Sequence, residues 1–241
     1  MNNKDAISHT HHISQQFNED LEDVKSSMLE MGGMVEKQLS DALDAIMQAD
    51  SGLAQLVRED DAAINAMEIS IDEECNRILV RRQPAASDLR LVLTVIKIVT
   101  DLERIGDESA KIARLAIELA EQGESSKGYF EIRHIGDRVK KMVHMALDSF
   151  ARYDVDAAVT VAREDANVDM EYSSAMREMI TYMIEDPRSI TRVLNIVWAL
   201  RALERVGDHA KNIAEHVVYL VKGTDVRHIG LSGLEEHLGV D

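Results

Sequence analysis

Two short acidic motifs are where the chemistry of this chain concentrates. Glu103-Arg104-Ile105-Gly106-Asp107 recurs as Glu204-Arg205-Val206-Gly207-Asp208. On a helix, residues four apart project within about 40° of one another, so each motif sets two carboxylates on one face. Like charges at that spacing destabilise a helix by about 0.2–0.5 kcal/mol unless something neutralises them. The glycine inside each motif adds roughly 1 kcal/mol against alanine, and it lets another helix or a bound group come close. A second pair stands upstream in each case, Asp61 with Asn65 and Asp165 with Asp169. Helices running antiparallel would bring these pairs opposite the motifs. Such oxygen clusters suit magnesium, manganese, iron or zinc ions, with bridging carboxylates able to hold more than one ion. Glu68 and Asp72, again four apart, extend the first set. Chance sets the standard here: 44 acidic residues in 241 produce about eight pairs at spacing four. The spacing alone therefore says little. The duplication, with a costly glycine inside each copy, singles these two out.

The duplication runs through the whole chain. Ala42-Leu43-Asp44 and the later Asp50 match Ala146-Leu147-Asp148 and the later Asp154, Asp61 aligns with Asp165, and Pro84 parallels Pro187. Three residues are lost around the second proline, after which Lys111-Ile112-Ala113 answers Asn212-Ile213-Ala214. Apolar residues recur at three and four, as in Met28, Met31, Val35, Leu39, Leu43 and Ile46. Six long helices are expected, over 17–48, 50–82, 87–122, 129–153, 154–185 and 188–222. The architecture that follows is all-α, two tandem three-helix bundles related by an internal repeat. Residues 1–14 read as a flexible tail, 15–122 as the first bundle, 123–128 as a linker, 129–222 as the second bundle and 223–241 as a loosely structured tail.

Composition narrows the function. Two prolines and 4% aromatics favour helix throughout. A net charge of −17 argues against nucleic-acid binding and against an anionic lipid surface. The single Cys75 excludes an intramolecular disulfide and sits in an apolar-periodic stretch, so a packed thiol is expected. Neither a secretory apolar core nor a membrane-spanning run is present; the longest apolar stretch, Leu91 to Val99, contains Lys97. A cytoplasmic protein is the expectation. His9, His11 and His12 are close enough to bind a metal but fit a polar terminal tail better.

Enzyme signals are poor. A di-iron oxidase needs Glu-x-x-His on two helices; Glu131 and His134 fit once, and their repeat equivalents are Ser27 and Glu30. No phosphate-cradling glycine loop, nucleophile elbow or zinc-protease helix occurs. His209 and its counterpart Glu108 adjoin the acidic motifs, but neighbouring helical residues point about 100° apart.

With Met31-Gly32-Gly33-Met34-Val35-Glu36, then Arg82-Gln83-Pro84-Ala85-Ala86-Ser87-Asp88-Leu89-Arg90, then both acidic motifs, the chain closely resembles the PhoU family of bacterial phosphate-transport accessory proteins. The resemblance implies two pseudo-repeated three-helix bundles, frequent homodimers and no enzymatic activity. It implies two partners, the ATPase subunit of the high-affinity phosphate ABC transporter and a phosphate sensor histidine kinase, with membrane contact only through them. The implied role is a negative regulator keeping phosphate-starvation genes off when phosphate is plentiful. Some such proteins hold multinuclear iron or zinc clusters on Glu/Asp-x-x-x-Asp motifs, which map here to Glu103 with Asp107 and Glu204 with Asp208. A metal-dependent enzyme or metal-responsive sensor is the alternative expectation.

Overall fold

The computed structural model describes residues 3–123, 128–227, 229 and 233, with side chains from Gln15 onward. Six helices make up the fold: α1 (Asn3–Gln48), α2 (Ser51–Arg82), α3 (Ala86–Glu121), α4 (Tyr129–Arg152), α5 (Val155–Glu185) and α6 (Ile190–Lys222). The expected helix limits agree to within two residues, except at the start. There α1 begins at Asn3 in place of the flexible tail expected over 1–14, because neither proline nor glycine interrupts the chain before Gly32. The side chains of His9, His11 and His12 lie outside the described ones.

Repeat-equivalent residues make equivalent helix ends. The Asp50 carboxylate accepts from Leu53 N at 2.9 Å and opens α2; Asp154 accepts from Ala157 N at 3.0 Å and opens α5. Each is an N-cap, which satisfies an otherwise orphaned amide. Before each cap the chain turns through a left-handed residue, Ala49 (φ 54°) and Tyr153 (φ 56°). Pro84 follows the α2 C-cap Gln83, while Pro187 opens a single 3-10 turn capped by Asp186. Both prolines stop a helix for the same reason: they carry no N–H to continue the ladder.

The helices α1, α2 and α3 form one bundle and α4, α5 and α6 the other, as expected. The bundles lie side by side, and α3 against α6 is the most extensive helix contact in the protein. These two run antiparallel. Glu108 pairs with Arg205 at 2.9 Å, Asp101 with His209 at 2.9 Å, and Arg192 donates to Leu119 O at 3.1 Å near the other end. On the opposite side α1 meets α4 through a reciprocal fit. Leu43 packs onto Gly136, and its repeat equivalent Leu147 packs onto Gly32. A Cβ at Gly136 would stand 2.6 Å from Leu43 Cδ2, and one at Gly32 would stand 2.8 Å from Leu147 Cδ2. Close approach of helix to leucine is what these glycines supply.

Of the loose tail expected over 223–241, residues 223–227, 229 and 233 are described. Val226 is buried, and Arg227 binds Asp225 beside it. Burying one apolar side chain and closing one ion pair is enough to fasten a short strap. Within the expected linker, Gly123 and Gly128 both adopt φ +84°, and residues 124–127 lie outside those described.

Gly136→Val is expected to lower stability by about 2 kcal/mol through overpacking against Leu43. Urea unfolding would measure it, and Leu43→Ala in the same chain should recover part of the loss.

Candidate metal centres in the two acidic clefts

The acidic motifs lie where α3 faces α2 and where α6 faces α5. In the first cleft Asp61 sits against the Gly106 turn: a Cβ there would be 3.6 Å from Asp61 Oδ1. Asn65 Nδ2 donates to Asp61 Oδ2 at 3.4 Å. Burial raises the Glu103 carboxyl above its usual range, and the charges of Asp107 and Glu68 raise it further. Asp107 is raised by burial and then by Asp61 and Glu108; Glu68 by burial and then by Asp72. Burial also raises Asp72. The exposed Arg104 opposes the shifts on Glu68, Glu103 and Asp107. Asp61, Glu68, Glu103 and Asp107 thus act on one another as a single patch, with Asp72 reached through Glu68.

The second cleft joins Asp165, Asp169, Glu204 and Asp208. Burial comes first in raising Asp169, Glu204 and Asp208, and their mutual repulsion, together with Asp165, adds to it. Two cations intrude here. Lys211 Nζ binds Asp165 Oδ2 at 2.7 Å, and Arg201 Nη1 binds Glu204 Oε1 at 2.6 Å while lying over the Tyr172 ring.

Both sets expected from the sequence are therefore brought together, each on two antiparallel helices. The fit to a metal is uneven. Among the described residues no three His, Cys, Asp or Glu side chains stand close enough to hold one ion as placed. The first cleft nonetheless leaves buried oxygens without a donor: Asn65 Oδ1, Asp72 Oδ1 and, from α1, Gln38 Oε1. Such oxygens are costly to bury unanswered, and a hard cation is what oxygen donors alone accept best. Asp61, Glu103 and Asp107 would hold such an ion, which would supply the charge their mutual repulsion lacks. In the second cleft only Glu204 Oε2 is left in that state.

Sequence reasoning passed over Gln38, Arg201 and Lys211. Gln38 had a signal, being an amide at core spacing between Val35 and Ala42, and it is 4% exposed. His209 and Glu108 turn away from the clefts to the seam between bundles, as their helical direction required. There Asp101 accepts from His209 Nδ1 at 2.9 Å and Asn212 Nδ2 at 3.1 Å, with His216 Nε2 at 3.4 Å. Burial alone would raise Asp101; the hydrogen bonds outweigh it and hold the carboxyl below its usual range. His134 pairs with Glu171 at 3.2 Å rather than with a second Glu-x-x-His helix. Burial pushes the Cys75 thiol up to about 12, so it is packed and unreactive.

Beside the seam, burial pushes Glu215 up from 4.5 to about 7, with Lys211 and Arg227 opposing and Asp165 and Asp225 adding. A raised acid favours the folded state when protonated. Its contribution is complete below pH 4.5 and lost as pH climbs to about 7. Glu215→Gln should therefore unfold with a flatter dependence across that window and gain about 2 kcal/mol at pH 8, read from urea curves at stepped pH.

Comparison with known proteins matches this geometry to one family. The family model described as the PhoU domain matches twice, at residues 28–116 and 132–217. The chain is 65% identical over 238 residues to the phosphate-specific transport system accessory protein PhoU homolog of Pseudomonas aeruginosa, covering 99% of this chain and 98% of that one. The crystal structure of PhoU from Pseudomonas aeruginosa superposes with a TM-score of 0.85 at 65% identity, over 86% of this chain and all of the other (100%). The phosphate transport system regulatory protein PhoU from Streptococcus pneumoniae superposes at 0.80 with 30% identity, over 87% of this chain and 99% of that one. With two copies of the domain, one in each bundle, the chain belongs to the PhoU family.

Proposed function

We propose that this protein is a negative regulator of phosphate uptake and phosphate-starvation signalling. It works in the cytoplasm as a non-enzymatic scaffold between the high-affinity phosphate ABC transporter and its sensor histidine kinase. The observation that carries this reading is near-full-length similarity to a relative named a phosphate-specific transport accessory protein. The name of the Streptococcus pneumoniae relative, a regulatory protein of the phosphate transport system, supports the regulatory part.

The surface suits a scaffold. No described helix is long and apolar enough to cross a membrane; in this reading the contact with the transporter is made to its ATPase subunit. Along the outside of α6, Ile190, Leu194 and Trp198 stand exposed one turn apart, Trp198 at 53%. Exposed apolar rows of this kind mark protein docking, and tryptophan is a frequent anchor. A homodimer belongs to the same reading.

A metal-responsive form of this role is favoured by the orphaned oxygens of the first cleft. In it, a bound ion cancels the repulsion among the carboxylates and stiffens α2 against α3.

Intact-complex mass spectrometry with the ATPase subunit and the kinase, with and without phosphate, should capture both partners, and Trp198→Ala should reduce capture. Deleting the gene should switch phosphate-starvation genes on in rich phosphate. Continued repression in the deletion strain would overturn the proposal.

A further inference from the structure

The α3/α6 seam has two ends that the repeat makes equivalent, and their side chains differ in charge. At one end Lys97, Thr100 and Asp101 of α3 and Asn212 and Glu215 of α6 line a groove that Arg227 closes. The strap after α6 supplies that closure. Gly223 starts it over α3, where a Cβ would stand 2.7 Å from Arg90 Nη1, and Val226 beside Arg227 is buried. The Arg227 guanidinium is held above its usual range first by its hydrogen bonds to Asp225, then by the charges of Asp225, Glu215 and Asp101. A groove carrying two carboxylates is thus filled by this chain's own cation, set next to one apolar residue.

At the other end the equivalent residues are Trp198, Arg201 and Ala202 of α6 with Lys111 and Arg114 of α3. Both carboxylates are gone: Ala202 stands for Asp101 and Arg114 for Glu215. The register that pairs Glu108 with Arg205 and Asp101 with Asn212 brings Lys111 and Arg114 level with Ala202 and Ala199, within a turn of Arg201 and Trp198. Two neighbouring acids are already engaged, Glu108 by Arg205 and Lys111, and Glu204 by Arg201. Glu118 takes the place of Tyr219, and Lys111, Arg114, Arg201 and Arg205 still outnumber Glu108, Glu118 and Glu204. Trp198 and Arg114 both stand exposed. The chain after α3, Glu124-Ser125-Ser126-Lys127, has Ser125 where the strap has Val226, so it carries no apolar side chain to bury.

We propose that this second end receives an acidic segment of a partner protein, which sets carboxylates on Arg114, Lys111 and Arg201 and an apolar side chain on Trp198 and Leu194. This rests on the scaffold reading and gives the exposed row on α6 a partner of defined chemistry. The strap is the precedent, with the charges exchanged. A cation beside Val226 fills the acidic end, so an acid beside an apolar residue fits the basic one. Covering the indole excludes water from the ion pairs at its edge, which strengthens them. Tryptophan and arginine are both enriched where interfaces concentrate their binding energy. In a chain of net charge −17, a local group of cations fixes where an acidic partner can land.

Trp198 is the single tryptophan, so full-length protein grown with fluorotryptophan has one fluorine resonance, and it reports on this site. The probes are the unlabelled ATPase subunit of the transporter and the detergent-solubilised sensor kinase, each titrated alone, with complex formation followed in parallel by mass spectrometry. One of them should shift or broaden the resonance as its complex forms. Arg114→Glu should weaken that binding about tenfold or more, and Arg114→Gln by less. Arg152→Glu, the same charge change at an exposed site on α4, should alter it by under about threefold. The effect of Arg114→Glu should shrink as NaCl rises from about 50 to about 500 mM. Circular dichroism checks the fold of each variant; should Arg114→Glu unfold, Arg114→Gln against Arg152→Gln decides. A complex that leaves the resonance unmoved, equal losses at positions 114 and 152, or tighter binding by Arg114→Glu would overturn the proposal and leave the scaffold reading standing. So would a resonance that moves with the concentration of this protein alone, which marks a second copy as the occupant. Failure of both partners to bind wild type would overturn both.

Discussion

Asp101 is a carboxylate buried in the middle of the α3/α6 contact, and His209, Asn212 and His216 of the opposite bundle converge on it. Removing a charge from water costs several kcal/mol, and only well-placed donors return it. Sliding α6 by one turn would strip Asp101 of these partners, so the network holds the register of one bundle on the other. Everything else in the molecule is placed relative to that seam. With α3 and α6 locked together, α2 and α5 are left on the flanks, and both acidic clefts face outward. The reciprocal leucine-into-glycine contacts of α1 and α4 close the opposite side.

The seam also shows how a duplicated chain loses its symmetry. The repeat equivalent of Asp101 is Ala202, and that of His209 is Glu108. On one side of the crossing two histidines and an amide serve a carboxylate; on the other Glu108 takes Arg205 and Lys111. Both solutions leave a buried acid paired, by different donors. The acidic clefts repeat the pattern, one with orphaned oxygens and the other with Lys211 and Arg201. Features needed for folding are kept in both halves: the Asp50 and Asp154 caps, and the glycines at 32 and 136. What differs is how charge is balanced, and that is where duplicated halves can take on separate tasks.

Much of this was open to reading from the chain alone. Apolar spacing of three and four, two prolines and two repeated cap aspartates are local signals, so the six helices and their limits follow from them. The acidic motifs and their partners on the preceding helix were also legible, since four-residue spacing fixes a helical face and the repeat supplies register. Over 1–14 polarity suggested a tail, whereas α1 begins at Asn3, where no breaker interrupts the chain. The strap at Val226 was missed because its neighbour Arg227 lines a pocket with α3 and α6 residues such as Lys97 and His216, and Lys97 is far away in sequence.

The sequence by itself determined the helices and which carboxylates share a face, because each depends on residues within a few turns of one another, and the duplication and the family, because each is a likeness between strings of residues that needs no packing to be read. Only the tertiary structure decided what balances those carboxylates. Gln38 is 23 residues from Asp61 and Lys211 is 46 from Asp165. Whether a distant amide or ammonium reaches a buried oxygen depends on how helices pack, and spacing along the chain carries no record of it.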